Sequence, residues 1–276
     1  MIEAREVSQE EREQALKELG IYGYCRVPGY WSQSAMQELR ETVESHHAAA
    51  QGAYQGVPER DDQDKILYNL QNKDVRFIEA ISCEFADWLL RQKLNDPYYR
   101  FLPEDVSNYT LSYFNARSSG RELAYHIDSY IPAPGSRTWS MQMTVVLEDQ
   151  DESNGCTVVV PGSHLMGEFC DRSLEKSVPL KARAGDLLAW DSRLWHGTGP
   201  NHSGRSRWLA IASFCMWWVK PKMDIPRGLP QSIYEQLTDA QKVLLGFCSI
   251  PPKHEGQRIN TKCGYDSLLP RVSDYF

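Results

Sequence analysis

Hydrophobic residues along this chain follow two periods, and the change from one to the other divides the sequence. In the first third they recur at helical spacing. Met36, Leu39 and Val43 mark one face of a helix over 34–50. Val75, Ile78, Ile81, Phe85, Trp88 and Leu89 mark a face of another over 74–94. Ser8 followed by Glu11 is a capping-box pattern and predicts an earlier helix that ends near Gly20. "YGYCRVP" (22–28) reads as a strand, and the polar stretch 50–65 as a mobile loop. From about residue 106 the texture becomes short apolar runs separated by turn signals. "NYTLSYFNA" (108–116), "SMQMTVVLED" (140–149), "GCTVVVPGS" (155–163), "SVPLKARAGDLLAW" (177–190) and "RWLAIASFCMWW" (207–218) are the strands this predicts. Beyond 220 the pattern turns helical again, with Thr238 and Gln241 as a second capping-box pair. The tail after 250 has no clear period.

Many short strands with turns between them predict a sandwich or barrel. The expectation is therefore a mainly β protein with flanking helices. One domain over 1–276 has a helical N-terminal part (1–105), a β core (106–220) and a short helical C-terminal extension (221–276). A chain of 276 residues, 41% hydrophobic, suits one domain with decorations.

Charge and cysteine usage narrow the class. A net charge of −7 argues against a general nucleic-acid binder, which needs a basic surface. The seven cysteines are odd in number and scattered, with no C-x-x-C pair, and read as reduced thiols of a cytoplasmic protein. The polar N-terminus is not a signal peptide, and the most apolar run (208–219) is too short to span a bilayer. A small-molecule substrate is the expected partner, and neither nucleic acid nor membrane is expected. No mark of an oligomeric state stands in the sequence.

Chemistry enters at "AYHIDSY" (124–130). On a strand, residues i and i+2 share a face, so His126 and Asp128 project together while Ile127 points away. H-x-D alone is common, and an ordinary polar pair at a strand end explains it better. A third ligand changes that balance. His196 closes the apolar segment "DLLAWDSRLWHGTG" just before a Gly turn. Two histidines and a carboxylate are the facial triad of non-haem Fe(II) oxygenases, which leaves the opposite metal positions open. Arg207 follows across a turn, where it begins what is expected to be the neighbouring antiparallel strand. An arginine there can clamp a dicarboxylate through two bonds, and Thr198 can donate to the same group. The plainer accounts are a surface charge and a turn residue.

"HID", "NGCTVVVPGSH" (154–164), "AGDLLAWDSRLWHGTG" (184–199) and Arg207, in that order, resemble the phytanoyl-CoA dioxygenase family of Fe(II)- and 2-oxoglutarate-dependent oxygenases. The resemblance covers roughly residues 20–220. It implies a double-stranded β-helix (a jelly roll, cupin-like) with N-terminal helices packed against it. It implies His126, Asp128 and His196 as iron ligands, and Arg207, with Thr198, on the distal carboxylate of 2-oxoglutarate. The implied reaction consumes O2, releases succinate and CO2, and hydroxylates a small molecule, with a secondary metabolite as the expected kind. Related halogenases carry a small residue in place of the carboxylate ligand; Asp128 favours oxidation here. His164 in "PGSH" lies outside the ligand set and is expected to be structural.

Substrate residues are sought near the triad. Tyr125, Tyr130, Gln142 and Trp195 are candidates by proximity or strand parity, Gln142 also on the cosubstrate side. Trp190, Trp217 and Trp218 are further pocket aromatics, although core packing is the better account of each aromatic alone. Asn69 and Gln71 share parity in a polar segment, where helix capping by Asn72 or Asp74 is the plainer reading. Arg117 and Lys73 can neutralise an acidic substrate, though solvated charges are commoner. The loop 131–138 is a lid candidate. Two other classes stay open. A cupin-like metalloenzyme without 2-oxoglutarate has no use for a carboxylate clamp, and a non-catalytic binding protein on this fold is expected to lose triad residues.

Overall fold

Period-two alternation builds two facing antiparallel sheets. The computed structural model describes residues 2–50, 64–94, 109–169, 176–247 and 249. Within them the strands are β1 (Tyr24–Val27), β2 (Asp64–Tyr68), β3 (Tyr109–Ser119), β4 (Leu123–His126), β5 (Ser140–Val146), β6 (Thr157–Val159), β7 (Val178–Pro179), β8 (Leu187–Asp191), β9 (His196–Thr198) and β10 (Leu209–Met216). The larger sheet runs β1-β8-β5-β10-β3-β2 and the smaller β4-β9-β6-β7. Neighbours in space are distant in sequence, as in a jelly roll. That is the architecture the strand texture and the resemblance predict.

The larger sheet has two different faces. Phe114, Ala116, Met141, Met143, Ala189, Ala212 and Phe214 point outward into the main core. There they meet Met36, Leu39 and Val43 of α2 (Gln33–Ala49), with α1 (Gln9–Ile21) contributing Ala15 and Leu19. The alternate residues Val146, Leu188, Trp190 and Leu209 point inward, toward Val159 of the smaller sheet. Both predicted capping boxes form, at Ser8–Glu11 on α1 and at Thr238–Gln241 on α7 (Asp239–Leu244).

The structure departs from the predicted elements in three places. The helix over 74–94 is two, α3 (Val75–Ile81) and α4 (Glu84–Leu94). Ser82 leaves helical dihedrals at φ −109°, ψ 16°, and the Tyr30 hydroxyl donates to the Cys83 thiol at 3.0 Å. The break lets each helix turn its own apolar face to the core. Second, β1 and β2 come from the N-terminal part and pair with β8 and β3, so that part supplies both edges of the larger sheet. Third, the segment 177–190 divides into β7 and β8 around Gly185, which sits at φ +94°; a Cβ there would lie 2.4 Å from the Trp31 carbonyl oxygen. Three short helices follow β10: α5 (Ile225–Gly228), α6 (Gln231–Tyr234) and α7 (Asp239–Leu244). Most of the expected polar loop (51–63) and the tail from 251 lie outside the described residues. No helix among the described residues is long and apolar enough to cross a membrane.

Candidate metal centre

Strands β4 and β9 of the smaller sheet are hydrogen-bonded neighbours, with His126 opposite His196 and Leu123 opposite Thr198. The pairing requires Gly197: a Cβ at that position would lie 2.5 Å from the Leu123 carbonyl oxygen. We expect Gly197→Ala to push β4 away from β9 and to weaken divalent-metal binding by at least about tenfold, as loss of ligand support does. Calorimetric Fe(II) titration under argon measures this, and unchanged affinity would show that the histidine pair tolerates the displacement.

His126, Asp128 and His196 converge. One donor atom from each can be chosen so that all lie within 4.8 Å of one another. His196 Nε2 is 3.4 Å from Asp128 Oδ2, and His126 Nε2 is 3.9 Å from Asp128 Oδ1. Each ring is oriented by its other nitrogen: His126 Nδ1–H donates to the Ala124 carbonyl at 3.0 Å, and His196 Nδ1–H to that of Leu194 at 2.9 Å. Both Nε2 lone pairs are thereby left for a metal. Burial, and then the charge of His196, push the His126 imidazole below its ordinary value, which favours the neutral ligand form.

Strand parity alone does not deliver Asp128. β4 ends at His126, and Asp128 lies in the following turn, where its N–H donates to the Ser192 carbonyl at 2.8 Å. The Trp190 indole N–H donates to Asp128 Oδ2 at 3.4 Å. Ile127 turns toward Val160 and Trp195.

The ligands open onto a cavity of about 560 Å³ between the sheets. Its floor is the inner face of the larger sheet: Tyr113, Asn115, Arg117 and Ser119 of β3, with Leu209 and Ile211 of β10. Arg207 lines it too, but not from the strand beside β9. That expectation is corrected: β10 lies in the facing sheet, between β5 and β3, and Arg207 reaches the cavity from just ahead of it. Arg207 is 3% exposed. Its Nε–H donates to the Ser119 carbonyl at 3.2 Å, and no carboxylate of the described residues lies within 4 Å of it. Burial pushes the guanidinium down to about 10. A buried cation in that state is matched to an incoming anion.

Other candidates are placed as follows. Thr198 lines the cavity, and its hydroxyl accepts from the Leu123 N–H at 3.0 Å and donates to the Arg121 carbonyl at 3.4 Å, closing the bulged β4–β9 register. Gln142 sits on the inner face but is fully engaged. Its amide nitrogen donates to the hydroxyls of Ser213 (3.0 Å) and Ser192 (3.3 Å), and its oxygen accepts from Tyr113 (3.3 Å). It therefore backs the cavity wall. Tyr130 and Arg117 line the cavity, whereas Tyr125 and Trp195 pack together with Ile127 and Val160. Asn69 and Gln71 bond to each other beside a 3-10 turn outside the cavity, with Asn69 at φ +56°. Asp74, as the plainer reading had it, caps α3. Lys73, Trp217 and Trp218 are not cavity residues, and His164 is buried against Gly23. The loop 131–138 is pinned rather than free, because Arg193 donates to the carbonyls of Ala133 (3.0 Å) and Gly135 (2.9 Å) while paired with Asp191.

Tyr113 and Asn115 are among the cavity residues not anticipated, and Lys222, noted in the sequence only as one of several scattered basic residues, lines it too. Tyr113 and Asn115 have a signal in "SYFNAR", where Phe114 and Ala116 face the core and the alternate residues are only partly buried.

Comparisons with known proteins agree with this architecture. Dioxygenase af480 of Aspergillus fumigatus is 25% identical over 248 residues, covering 86% of this chain and 78% of that protein. A probable alpha-ketoglutarate-dependent hypophosphite dioxygenase of Stutzerimonas stutzeri is 26% identical over 217 residues, 68% of this chain and 73% of that protein. The structure of HygX from Streptomyces hygroscopicus with nickel and 2-oxoglutarate bound superposes with a TM-score of 0.60 at 15% identity, over 78% of this chain and 90% of that one, a likeness of fold. The family description "Phytanoyl-CoA dioxygenase (PhyH)" matches residues 21–208, and the chain belongs to that family.

Proposed function

We propose that this protein is an Fe(II)- and 2-oxoglutarate-dependent oxygenase that oxidises a C–H bond of a small molecule. The observation that carries the reading is the pairing, in one cavity, of three convergent ligand side chains with a buried guanidinium that has no carboxylate partner among the described residues. The donor set of two imidazoles and one carboxylate fits Fe(II) and would leave one side of the ion free. His126 Nε2, His196 Nε2 and the Asp128 carboxylate would hold the metal. Arg207 would take the distal carboxylate of 2-oxoglutarate, with Thr198 lining the same end. Bound together, iron and 2-oxoglutarate supply an oxidant from O2 as the cosubstrate is converted to succinate and CO2.

The chain's own part is orientation and exclusion of water. The Ala124 and Leu194 carbonyls fix the imidazole rings, and the Trp190 N–H restrains Asp128. Leu209 and Ile211 present apolar walls beside Arg207, which strengthens its pairing with an anion. A cupin-like enzyme without 2-oxoglutarate gives Arg207 no work. Cys25, Cys83, Cys156 and Cys215 are unpaired, in keeping with a cytoplasmic setting.

The test is anaerobic. Fe(II) followed by 2-oxoglutarate is expected to produce the weak visible charge-transfer band of the chelate. Iron binding without that band would remove 2-oxoglutarate from the mechanism.

A further inference from the structure

The cavity carries basic side chains at two ends, Arg117, Arg121 and Arg207 beside Asp64 and Glu122 at one and Lys222 at the other, and His126, Asp128 and His196 lie between them. On β3, Tyr113 and Arg117 face the cavity four residues apart, about 13 Å along an extended strand. Arg117 pairs in register with Leu209, two residues from Arg207, so it marks the end assigned to the cosubstrate. Thr198 and Leu123 belong to that end as well. From Leu123 the chain runs through His126 and Asp128 to Tyr130, and there it meets the other end.

At that far end stands Lys222. Its ammonium lies 4.5 Å from the Tyr113 ring centroid and 4.7 Å from that of Tyr130, held between two aromatic rings. No carboxylate of the described residues lies within 4 Å of it. The placement is built by the backbone. The Lys222 N–H donates to the Ser112 hydroxyl at 3.0 Å, and the Met223 N–H to the Ser112 carbonyl at 3.1 Å, which fastens this segment to β3. Tyr130 holds its side of the clamp from a left-handed φ of +63°, unusual for a residue with a side chain. Lys222 and Tyr130 are exposed at the rim of the cavity, Tyr130 by 70%, so the ammonium keeps donor capacity for a substrate that enters there.

We propose that Lys222, framed by Tyr113 and Tyr130, binds an anionic head group of the substrate, a carboxylate or a phosphate. The oxidised C–H bond then lies on the part of the molecule that reaches back toward His126, Asp128 and His196. This rests on the oxygenase reading and adds to it a substrate class and a residue that sets specificity. Arg207 answers the cosubstrate, and Lys222 answers the substrate.

Calorimetry on the anaerobic Fe(II)- and 2-oxoglutarate-saturated protein tests this with matched probes: hexanoate, hexyl phosphate and hexanamide, then 3-phenylpropanoate and its amide. The acids or the phosphate are expected to bind at least about tenfold tighter than the amides, as a charge-assisted contact requires. Comparison of hexanoate with hexyl phosphate shows which anion is preferred. In Lys222→Met the preference should fall below about twofold with the chelate band intact, and Lys222→Arg should restore it. Equal binding of acid and amide by the unaltered protein, or binding of no probe, overturns the proposal. So does a preference that survives Lys222→Met, or one that is lost in Arg117→Gln and kept in Lys222→Met. A missing chelate band in the unaltered protein identifies a failure of the oxygenase reading itself, and the inference falls with it.

Discussion

Asp128→Ala should abolish turnover and weaken Fe(II) binding by more than about 100-fold, beyond the loss seen when only a supporting group is removed. Asp128 is the sole carboxylate of the group, so the variant leaves two imidazoles and no anionic ligand. The fold should survive. The Asp128 N–H bond to Ser192 is main-chain and persists in the variant, and the residue lies in a turn beyond β4. Calorimetric iron titration and a melting curve measured together check both halves. A melting temperature within a few degrees of the unaltered protein, with iron affinity lost, assigns Asp128 to the metal. Retained turnover would overturn the triad. His196→Ala should match it in affinity, because its Nε2 has no competing role and its ring is already fixed through Nδ1.

The second large effect separates the cosubstrate from the metal. Arg207→Ala should raise the dissociation constant for 2-oxoglutarate by about 100-fold or more while changing Fe(II) affinity by less than about threefold. Two charge-assisted hydrogen bonds at about 1.5–3 kcal/mol each account for that magnitude. The protein without cosubstrate should lose little stability. Its buried guanidinium has no carboxylate partner, so removing the charge offsets the lost bond to Ser119. The thermal stabilisation that 2-oxoglutarate confers on the iron-loaded protein should disappear in the variant. Arg207→Lys should fall between the two, since it keeps the charge and loses the planar fork. An equal fall in iron and 2-oxoglutarate affinity would make Arg207 a structural residue.

The legibility of the site followed the range of the interactions that make it. Capping boxes involve residues three apart, and both predicted ones formed, at Ser8 and Thr238. Alternation on β3, β5 and β10 is a property of each strand, so it could be read without knowing its neighbours. The candidate ligand set was legible because metal chemistry restricts the residue types, and because H-x-D, a later histidine and a later arginine are few enough to notice.

What failed needed a partner from elsewhere. Gln142 has the inward parity assigned to it, yet its amide is consumed by Ser192 and Ser213. Asn69 and Gln71 share a parity that holds only if the strand continues, and the strand ends at Tyr68. The break between the two helices of 74–94 falls beside Cys83, whose thiol accepts from Tyr30 more than fifty residues upstream.

By itself the sequence determined the period of most elements, two helix caps, the residue types at the candidate metal centre and the kind of fold that holds them. These are set by local sterics and by valence. Only the tertiary structure decided which strands are neighbours. It put β9 beside β4 and set β10 in the facing sheet, so that Arg207 approaches His126, Asp128 and His196 from across the cavity. It also brought Lys222 between Tyr113 and Tyr130. Strand order is decided by which buried faces cover one another most completely, a property of the whole chain that no short stretch of it carries.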